Sequence, residues 1–226
     1  MTIKVLNLYA GIGGNRKLWE NVDVTAVEIN ESVAAIYKDF FPNDKVIVGD
    51  AHEYLLEHYK EYDFIWSSPP CPTHSRLRKT ISMGIGAKAV YPDMKLYEEI
   101  LFLEGYFKSN YVVENVRSWY IPLIRPYLIE RHYFWSNKIL SNIKITNAKI
   151  QLANGSHKTK ESDKEQVTKL QKELGFDLSK YHLPTMKART MLRNCVNPET
   201  GLHIFNMAFK EKQEVLVTQA GKNDNK

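Results

Sequence analysis

Cysteine is scarce in this chain: the 226 residues include only Cys71 and Cys195, and no Cys-x-x-Cys pair. A disulfide framework or a thiolate zinc site is therefore not expected, and no metal is predicted. Long apolar runs are also missing, since none reaches the roughly 18 residues that a membrane span needs. The first residues enter a strand-like segment directly and lack the organisation of a signal peptide. These absences predict a cytoplasmic protein with no membrane partner.

The excess of positive charge is small, with 31 Lys and Arg against 26 Asp and Glu, a formal net charge of +5 and a pI near 9.0. A basic chain suits a polyanionic partner, because lysine and arginine release counterions from phosphate. Charge alone leaves nucleic acid binding and an ordinary, mildly basic protein equally open. The length fits one domain with a small appendage, and a hydrophobic content of 43% supplies a sizeable core.

Apolar, strand-like runs alternate with amphipathic segments along the first half of the chain. Strands are predicted at 3–9, 24–28, 45–48, 63–66 and 111–113. Helices are predicted at 15–20, 32–41, 53–59 and 97–107. This alternation is typical of an α/β fold with a doubly wound, mixed but mostly parallel sheet and helices on both faces. A further helix is predicted after Ser162, which forms a capping box with Glu165, and it ends at Gly175.

Two polar stretches interrupt this alternation. Residues 73–92 form a basic, glycine-containing segment that is too long for an ordinary connection. Because the segment follows Cys71, we expect a mobile lid over a reactive site. The alternative is a surface loop that has no functional role. Residues 151–166 are polar and rich in lysine and lack an apolar period, which predicts a loop.

A glycine loop, with Gly11, Gly13 and Gly14, follows the first predicted strand. Glycines there let the backbone turn tightly and let a ligand approach it. Glu28 ends the second strand, where a carboxylate can accept hydrogen bonds from ribose hydroxyls, and Asp50 ends the third, where it can accept from an adenine amino group. Taken singly, these are a plain turn and two solvated acids. Together they converge on one crevice at the carboxyl ends of adjacent strands, which predicts a nucleoside site.

A thiol and a carboxyl follow the next two predicted strands. Cys71 ends the sequence Trp-Ser-Ser-Pro-Pro-Cys, and Glu114 begins Glu-Asn-Val. A thiolate can add to an electron-poor ring while a carboxyl group protonates a ring nitrogen, which combines covalent and general acid catalysis. The alternative is that Cys71 is a buried structural cysteine and Glu114 an ordinary acid at the end of a strand, neither with a catalytic role.

These motifs resemble those of the DNA (cytosine-5) methyltransferases. The run from Tyr9 to Gly14 is similar to the Phe-x-Gly-x-Gly-Gly motif of that family, with Tyr9 in place of phenylalanine. The segments at Glu28 and Asp50 look like its second and third motifs, and Pro-Cys and Glu-Asn-Val look like its catalytic motifs. The resemblance implies a Rossmann-like, class I methyltransferase fold. It also implies S-adenosyl-L-methionine as cofactor, released as S-adenosyl-L-homocysteine, rather than a dinucleotide.

The resemblance further implies a role for each matched position. Cys71 would attack C6 of cytosine and make C5 enamine-like, Glu114 would protonate N3, and Arg131 would contact O2. We expect Arg76 and Arg78 to favour the thiolate form of the cysteine, and His74 and Ser75 to bond a phosphate or a base. The cofactor-binding set is Tyr9, Gly11, Gly13, Gly14, Glu28, Ile29, Asp50, Ala51, Ser68, Pro69, Asn194 and Val196. The substrate-binding set is Pro70, His74, Ser75, Arg76, Arg78, Asn115 and Val116.

The chain departs from the family pattern in several places. Pro72 replaces the usual glutamine after the catalytic cysteine, and Ile129 replaces the arginine two residues before the one that contacts O2. The closing motif, similar to Gly-Asn-x-Val, has Arg193 in place of glycine. Cys195 falls at a small-residue position of that motif, and we expect it to pack rather than react.

The room for target recognition is short. A catalytic domain is predicted at 1–137 and 186–212, leaving 138–185 as a reduced target-recognition segment and 213–226 as a tail. The resemblance implies double-stranded DNA as the partner, with the target base flipped out of the stack. Few base contacts fit in so short a segment, so relaxed recognition or a specificity partner is expected. The small size also suggests a phage or mobile-element enzyme, or one paired with a restriction endonuclease.

Three other functions stay open. Ser-Pro-Pro at 68–70 is also the core of the N4-cytosine methyltransferase motif, so the same pocket could present the exocyclic N4 to the cofactor without a thiol adduct. A similar pocket could methylate cytosine in transfer RNA. A catalytically silent DNA-binding module would retain the fold but would not need the cofactor, the thiol or the acid.

Overall fold

The computed structural model describes residues 2–78, 80, 88–141 and 162–210. The strands are β1 Ile3–Leu8, β2 Val22–Glu28, β3 Lys45–Val48, β4 Phe64–Ser67, β5 Asn110–Val116, β6 Tyr127–Ile129 and β7 His132–Ser136. The helices are α1 Glu31–Phe40, α2 Ala51–His58, α3 Lys95–Tyr106, α4 Asp163–Leu174, α5 Thr185–Arg193 and α6 Pro198–Phe209. Short 3-10 turns lie at Tyr59–Glu61 and Ser179–Tyr181.

The strands form one sheet in the order β3-β2-β1-β4-β5-β7-β6. β1 to β5 are mutually parallel, whereas β7 runs antiparallel to both of its neighbours. The Rossmann-like, mostly parallel sheet predicted from the sequence is therefore confirmed. Leu8 lies opposite both Val27 and Ser67, and Ser67 lies opposite Val113. Four strands thus end at one edge, and the segments that follow them meet there.

Helices cover both faces of the sheet. Because side chains alternate along each strand, each face of the sheet contributes its own side chains to a core. Leu6 and Ile65 point into a core shared with α2 and α3, whereas Val5 and Trp66 point into a second core shared with α6. Burying a large apolar side chain contributes about 1.5–3 kcal/mol. Both cores together therefore stabilise the position of the strand ends.

The predicted helix at 15–20 is wrong, because this segment forms turns. The Arg16 guanidinium forms an ion pair with the buried Asp44, at 2.9 Å from Nε to Oδ2, and also donates to the Trp19 carbonyl. The Asn15 amide donates to Asn7 Oδ1 at 2.8 Å. These contacts satisfy polar groups of the segment within a series of turns.

The fifth strand is longer than predicted. β5 continues to Val116, so Glu114 lies inside the sheet, opposite Phe134 of β7, rather than after the strand. The sequence pattern does not predict the β6–β7 hairpin, because its short apolar run coincides with the motif around Arg131. Two further strands, β7 and β6, therefore extend the sheet beyond β5, and the pattern of five apolar runs does not predict them.

A third core joins the C-terminal helices to the rest of the domain. The capping box of Ser162 and Glu165 and the left-handed Gly175 at the end of α4 are confirmed. α4 and α5 pack with Ile12 and Ile36. The loop predicted at 151–166 is wrong from Asp163 onward, where α4 begins, and residues 151–161 lie outside the described part of the chain. The predicted division into domains stays a prediction.

The described helices are short, the longest having 12 residues, and none of them has the length and apolar character to cross a membrane.

Candidate active site

The glycine loop is attached to the end of β2 through Glu28. The Gly11 N–H donates to Glu28 Oε2 at 3.0 Å, and the Asn30 N–H donates to Oε1 at 2.9 Å. Gly11 has a left-handed backbone, with φ at +55°, and a side chain there would meet open space. This position is therefore the one where a ligand can approach the backbone closely.

Gly13 and Gly14 have a different reason to lack side chains. A Cβ on Gly13, whose φ is +84°, would lie 2.3 Å from the Phe41 ring. A Cβ on Gly14 would lie 2.6 Å from Cys195 Cβ and from the Val196 carbonyl oxygen. Packing against α1 and the closing motif therefore requires these two glycines, whatever binds beside them.

Asp50 and Ile29 complete the crevice at the ends of β2 and β3. Asp50 is the N-cap of α2, where its Oδ1 accepts from the His52 N–H at 2.8 Å, and Ala51 behind it is buried. Ile29 leaves 68% of its surface exposed beside Glu28. Two carboxylates for hydroxyl and amino donors and an exposed apolar surface for a flat ring fit the nucleoside part of S-adenosylmethionine.

The loop that carries the thiol is tied to β5 and to the turn that follows. Asn115 donates from Nδ2 to the Pro69 carbonyl at 2.9 Å, so the Glu-Asn-Val strand holds the loop in place. The Cys71 carbonyl accepts from the N–H groups of His74 and Ser75, each at 3.0 Å. Cys71 is half-buried, and its backbone is fixed on both sides.

The charges around the thiol differ from the prediction. Burial, and then the negative charge of Glu114, raise the pKa of the Cys71 thiol above its ordinary value of 9.0. The positive charge that opposes them comes from Arg131. Arg76 and Arg78 were expected in this role, but Arg76 is exposed and Arg78 donates to the Lys88 carbonyl at 2.8 Å. Cys71, Glu114 and Arg131 therefore form one electrostatic unit.

The Glu114 carboxyl is buried, and burial raises its pKa to about 7, although Ser68 and Arg131 act in the opposite direction. Ser68 in turn accepts a hydrogen bond from Trp66 Nε1 at 2.9 Å. A carboxyl with a pKa near neutrality can carry a proton and release it, which a general acid must do.

His132, the first residue of β7, lies beside this acid, with Nε2 at 3.7 Å from Glu114 Oε1. Burial, and then the charge of Arg131, lower the pKa of His132 to about 3. The contact is therefore one between a neutral imidazole and a carboxyl group rather than an ion pair. His132 Nδ1 is buried and has no hydrogen-bond partner among the residues that the structure describes.

Arg131 lies in the two-residue turn between β6 and β7. Its neighbour Glu130 has a left-handed backbone, with φ at +52°, and accepts from Thr200 Oγ1 at 2.9 Å. Helix α6 therefore fixes the turn from which the guanidinium acts on Cys71 and Glu114.

The other predicted substrate residues are arranged around the start of the expected lid. His74 is buried, with Nδ1 at 2.6 Å from the Tyr120 hydroxyl, and Ser75 forms a β-bridge with Ser118. Pro70 is exposed next to the thiol, and Val116 ends β5. The lid itself stays a prediction, since residues 79 and 81–87 lie outside the described ranges.

The closing motif covers the glycine loop from the other side. Asn194 caps α5, and the buried Val196 presents its carbonyl to Gly14. Cys195 is buried, donates from Sγ to the Met191 carbonyl, and has its pKa raised by burial to about 12. Its packing role is as expected.

Two polar residues near the site were missed from the sequence. His132 stands inside an aromatic run and was read only as part of the arginine motif. Glu99 stands on the apolar face of α3, one residue before the buried Ile100 and four before the buried Leu103. An acid at such a position is a signal that sequence reasoning could have used, because buried carboxylates need partners.

The chain matches the sequence model of a known family. The model for C-5 cytosine-specific DNA methylase matches residues 3–117, which is half of the chain and contains the glycine loop, the thiol and the acid. The chain belongs to this family.

Several known proteins are similar to part of this chain. A tRNA (cytosine(38)-C(5))-methyltransferase of Spodoptera frugiperda is 32% identical over 83 residues, which are 34% of this chain and 25% of that protein. The chain thus spans about a quarter of the length of this curated relative. A crystal structure of DNMT2 from Spodoptera frugiperda, at 26% identity, covers 51% of this chain and 36% of its own, with a TM-score of 0.37. A SAM-dependent methyltransferase from Agrobacterium tumefaciens, at 17% identity, covers 53% and 40%, with a TM-score of 0.35.

Among the residues that the structure describes, no group of three or more His, Cys, Asp or Glu side chains is arranged to hold a metal ion.

Proposed function

We propose that the chain methylates C5 of cytosine in double-stranded DNA, with S-adenosylmethionine as the methyl donor. The observation that carries the proposal is the electrostatic unit of Cys71, Glu114 and Arg131 beside the cofactor crevice. A thiol, a carboxyl with a pKa near 7 and a cation are the groups that this reaction needs. Membership of the family supports the same activity.

The cofactor supplies an electrophilic methyl group when it is bound. Glu28 would accept hydrogen bonds from its ribose hydroxyls, Asp50 would accept from its adenine amino group, and Ile29 would contact the ring. Gly11 leaves the backbone open to it. The residues around Gly14 and Val196 close the crevice and exclude water.

Cys71 acts as the nucleophile. Its thiolate forms a bond to C6 of the flipped cytosine while the proton of Glu114 moves to N3, so no negative charge accumulates on the ring. C5 then takes the methyl group, which leaves S-adenosylhomocysteine as the other product. The C5 proton passes to solvent water, the bond between Sγ and C6 breaks to restore the thiolate, and N3 returns its proton to Glu114. Such a positioned acid typically contributes about 10²–10⁴-fold to the rate.

The acceptor must reach the pocket as an unstacked base. Flipping a base out of duplex DNA costs a few kcal/mol, and Arg131 would hold the base beside the thiol. Basic residues of the lid segment would contact phosphate. The proposal also includes a specificity partner, a companion restriction endonuclease, a phage origin and a cytoplasmic site of action.

The test is to incubate unmodified DNA with the protein and methyl-labelled S-adenosylmethionine, then analyse the nucleosides by mass spectrometry. We expect label in 5-methylcytosine, and none with Cys71→Ser, because a hydroxyl is not ionised at neutral pH. Cys195→Ser is the matched control and should retain activity. Label in N4-methylcytosine that persists in Cys71→Ser would favour the Ser-Pro-Pro reading and sink the thiol mechanism.

A second candidate substrate is transfer RNA. The observation that favours it is the similarity to the Spodoptera frugiperda relative, which is a tRNA (cytosine(38)-C(5))-methyltransferase. Equal concentrations of duplex DNA and unmodified tRNA, offered together, distinguish the two. Label mainly in tRNA would replace DNA as the substrate and leave the roles of Cys71 and Glu114 unchanged.

A further inference from the structure

Glu99 carries a carboxyl group that is completely buried in the middle of α3, with 0% of its surface exposed. Its neighbours on the same face, Leu96, Ile100 and Leu103, pack into the apolar core between α3 and the sheet. A carboxyl group in such surroundings is costly unless hydrogen bonds satisfy it. The position therefore needs an explanation beyond helix packing.

Three side chains from three other elements converge on this carboxyl. The Tyr9 hydroxyl donates to Oε1 at 2.5 Å, the Ser67 hydroxyl donates to Oε2 at 2.5 Å, and His52 Nδ1 lies 3.0 Å from Oε1. Burial, followed by the charge of Glu99, raises the pKa of Tyr9 above its ordinary value, so the phenol keeps its proton and stays a donor.

The three partners are the residues that frame the cofactor crevice. Tyr9 joins β1 to the glycine loop, with its backbone in the left-handed region at a φ of +55°. Ser67 is the last residue of β4, just before the loop that carries the thiol, and His52 follows the N-cap Asp50 in the first turn of α2. One carboxyl therefore connects the glycine loop, the thiol loop and the helix start at Asp50.

A left-handed backbone is unfavourable for tyrosine, because its Cβ crowds the carbonyl oxygen that follows. Such a conformation persists only where the surroundings determine it. At Tyr9 the hydrogen bond from the side chain to Glu99 stabilises the left-handed conformation. Two residues later, the Gly11 N–H donates to Glu28. A phenylalanine would pack similarly and would lack the bond.

We propose that Glu99 is a positioning residue for the cofactor crevice, which acts through Tyr9, Ser67 and His52 to hold the glycine loop in its binding conformation before the cofactor arrives. This inference rests on the proposed function, since it takes the crevice to be the S-adenosylmethionine site. Preorganisation of this kind raises affinity because less order has to be imposed on binding.

The test is Tyr9→Phe, which removes one hydroxyl and keeps the ring. The matched control is Tyr111→Phe, because the Tyr111 hydroxyl donates at 2.5 Å to Glu104, another glutamate of α3, at the opposite edge of the sheet. Hydrogen exchange of the amides at 10–14 is measured without cofactor, and the affinity for S-adenosylmethionine is measured by calorimetry. Glu99→Gln is a second variant for the same measurements.

We expect exchange at 10–14 to be about tenfold faster and cofactor binding about tenfold weaker in Tyr9→Phe, as the loss of one charge-assisted hydrogen bond predicts. Tyr111→Phe should leave both unchanged even if it lowers the melting temperature equally. Unchanged exchange in Tyr9→Phe, or equal effects in both variants, would overturn the inference. A wild-type protein that fails to bind S-adenosylmethionine would instead contradict the proposed function, and the exchange data would still decide the role of Glu99.

Discussion

Cys71 and Glu114 have protonation needs that oppose each other. In the proposed reaction the nucleophile must lose a proton and the acid must keep one, while burial raises the pKa of both groups. Because the charge of Glu114 is one cause of the raised pKa of Cys71, the neutral form of the acid is the form that lets the thiol ionise. Arg131 favours the ionised form of both groups. Near pH 7 the Cys71 thiol is therefore protonated, because its pKa is raised above 9.0, while Glu114 is divided between its protonated and ionised forms.

Glu114→Gln should make Cys71 more reactive while it abolishes catalysis. Removing the carboxylate charge lowers the pKa of the thiol, so alkylation by iodoacetamide at pH 8 should be about threefold faster or more. Mass spectrometry of the peptide that contains Cys71 gives the rate, and the buried Cys195 provides the background. Glu53→Gln, at an exposed position of α2, is the control. A slower reaction in Glu114→Gln would show that the carboxylate does not raise the pKa of the thiol.

At the scale of elements, close helix packing takes precedence over helix propensity. Gly201 lies in α6, where a Cβ would be 2.4 Å from the Asn15 carbonyl oxygen, and its own carbonyl accepts from Trp19 Nε1 at 3.2 Å. The same contacts make the segment after the glycine loop a set of turns rather than the predicted helix. Helix α6 also holds the turn of Arg131 through Thr200. One helix thus positions elements on two sides of the site.

Gly201→Ala should destabilise the protein by about 1–3 kcal/mol, because the added methyl group has no room beside Asn15. Gly105→Ala is the matched control in α3, where a Cβ would meet nothing within 4 Å. That change should stabilise the protein by about 0.5–1 kcal/mol through helix propensity alone. Urea denaturation measures both free energies of unfolding. Equal effects of the two substitutions would contradict the packing argument.

For the molecule as a whole, the buried Glu114 carboxyl lowers the free energy of unfolding at neutral pH. Glu114 keeps its proton to about pH 7 when folded, against an ordinary value of 4.5. Below pH 4.5 both states are protonated, and the group has no net effect. Between pH 4.5 and 7 only the unfolded chain ionises, so stability falls as the pH rises through this window. Above pH 7 the penalty stays constant.

Glu114→Gln should remove this penalty. At about 1.4 kcal/mol per pH unit between the two pKa values, the variant should gain roughly 3 kcal/mol over the wild type between pH 4.5 and pH 8. Denaturation curves at both pH values for the wild type, Glu114→Gln and Glu53→Gln provide the comparison. A difference between the wild type and Glu114→Gln that does not change with pH would mean that the folded carboxyl titrates normally.

The parallel part of the sheet could be predicted because each of its strands is a local apolar run with polar residues at its end. β3, a strand of four residues, was predicted with its observed limits, and the other four were predicted within a few residues. Gly11, Glu28, Asp50 and Cys71 could be selected for the same reason, since residues at the carboxyl ends of parallel strands share one edge. Glu114 could be selected from its Glu-Asn-Val motif, although it lies inside β5.

The sequence by itself thus determined the alternation of strands and helices of an α/β domain, the family motifs and the residue types that the chemistry needs. Only the tertiary structure decided that Glu114 lies inside β5, that Arg131 rather than Arg76 or Arg78 supplies the positive charge, and that Glu99 binds three partners. The physical reason is the separation along the sequence over which each property is determined. Periodicity and capping are local in sequence, whereas pKa values and buried hydrogen bonds depend on groups such as Tyr9 and Glu99, which are 90 positions apart and meet only in the folded protein.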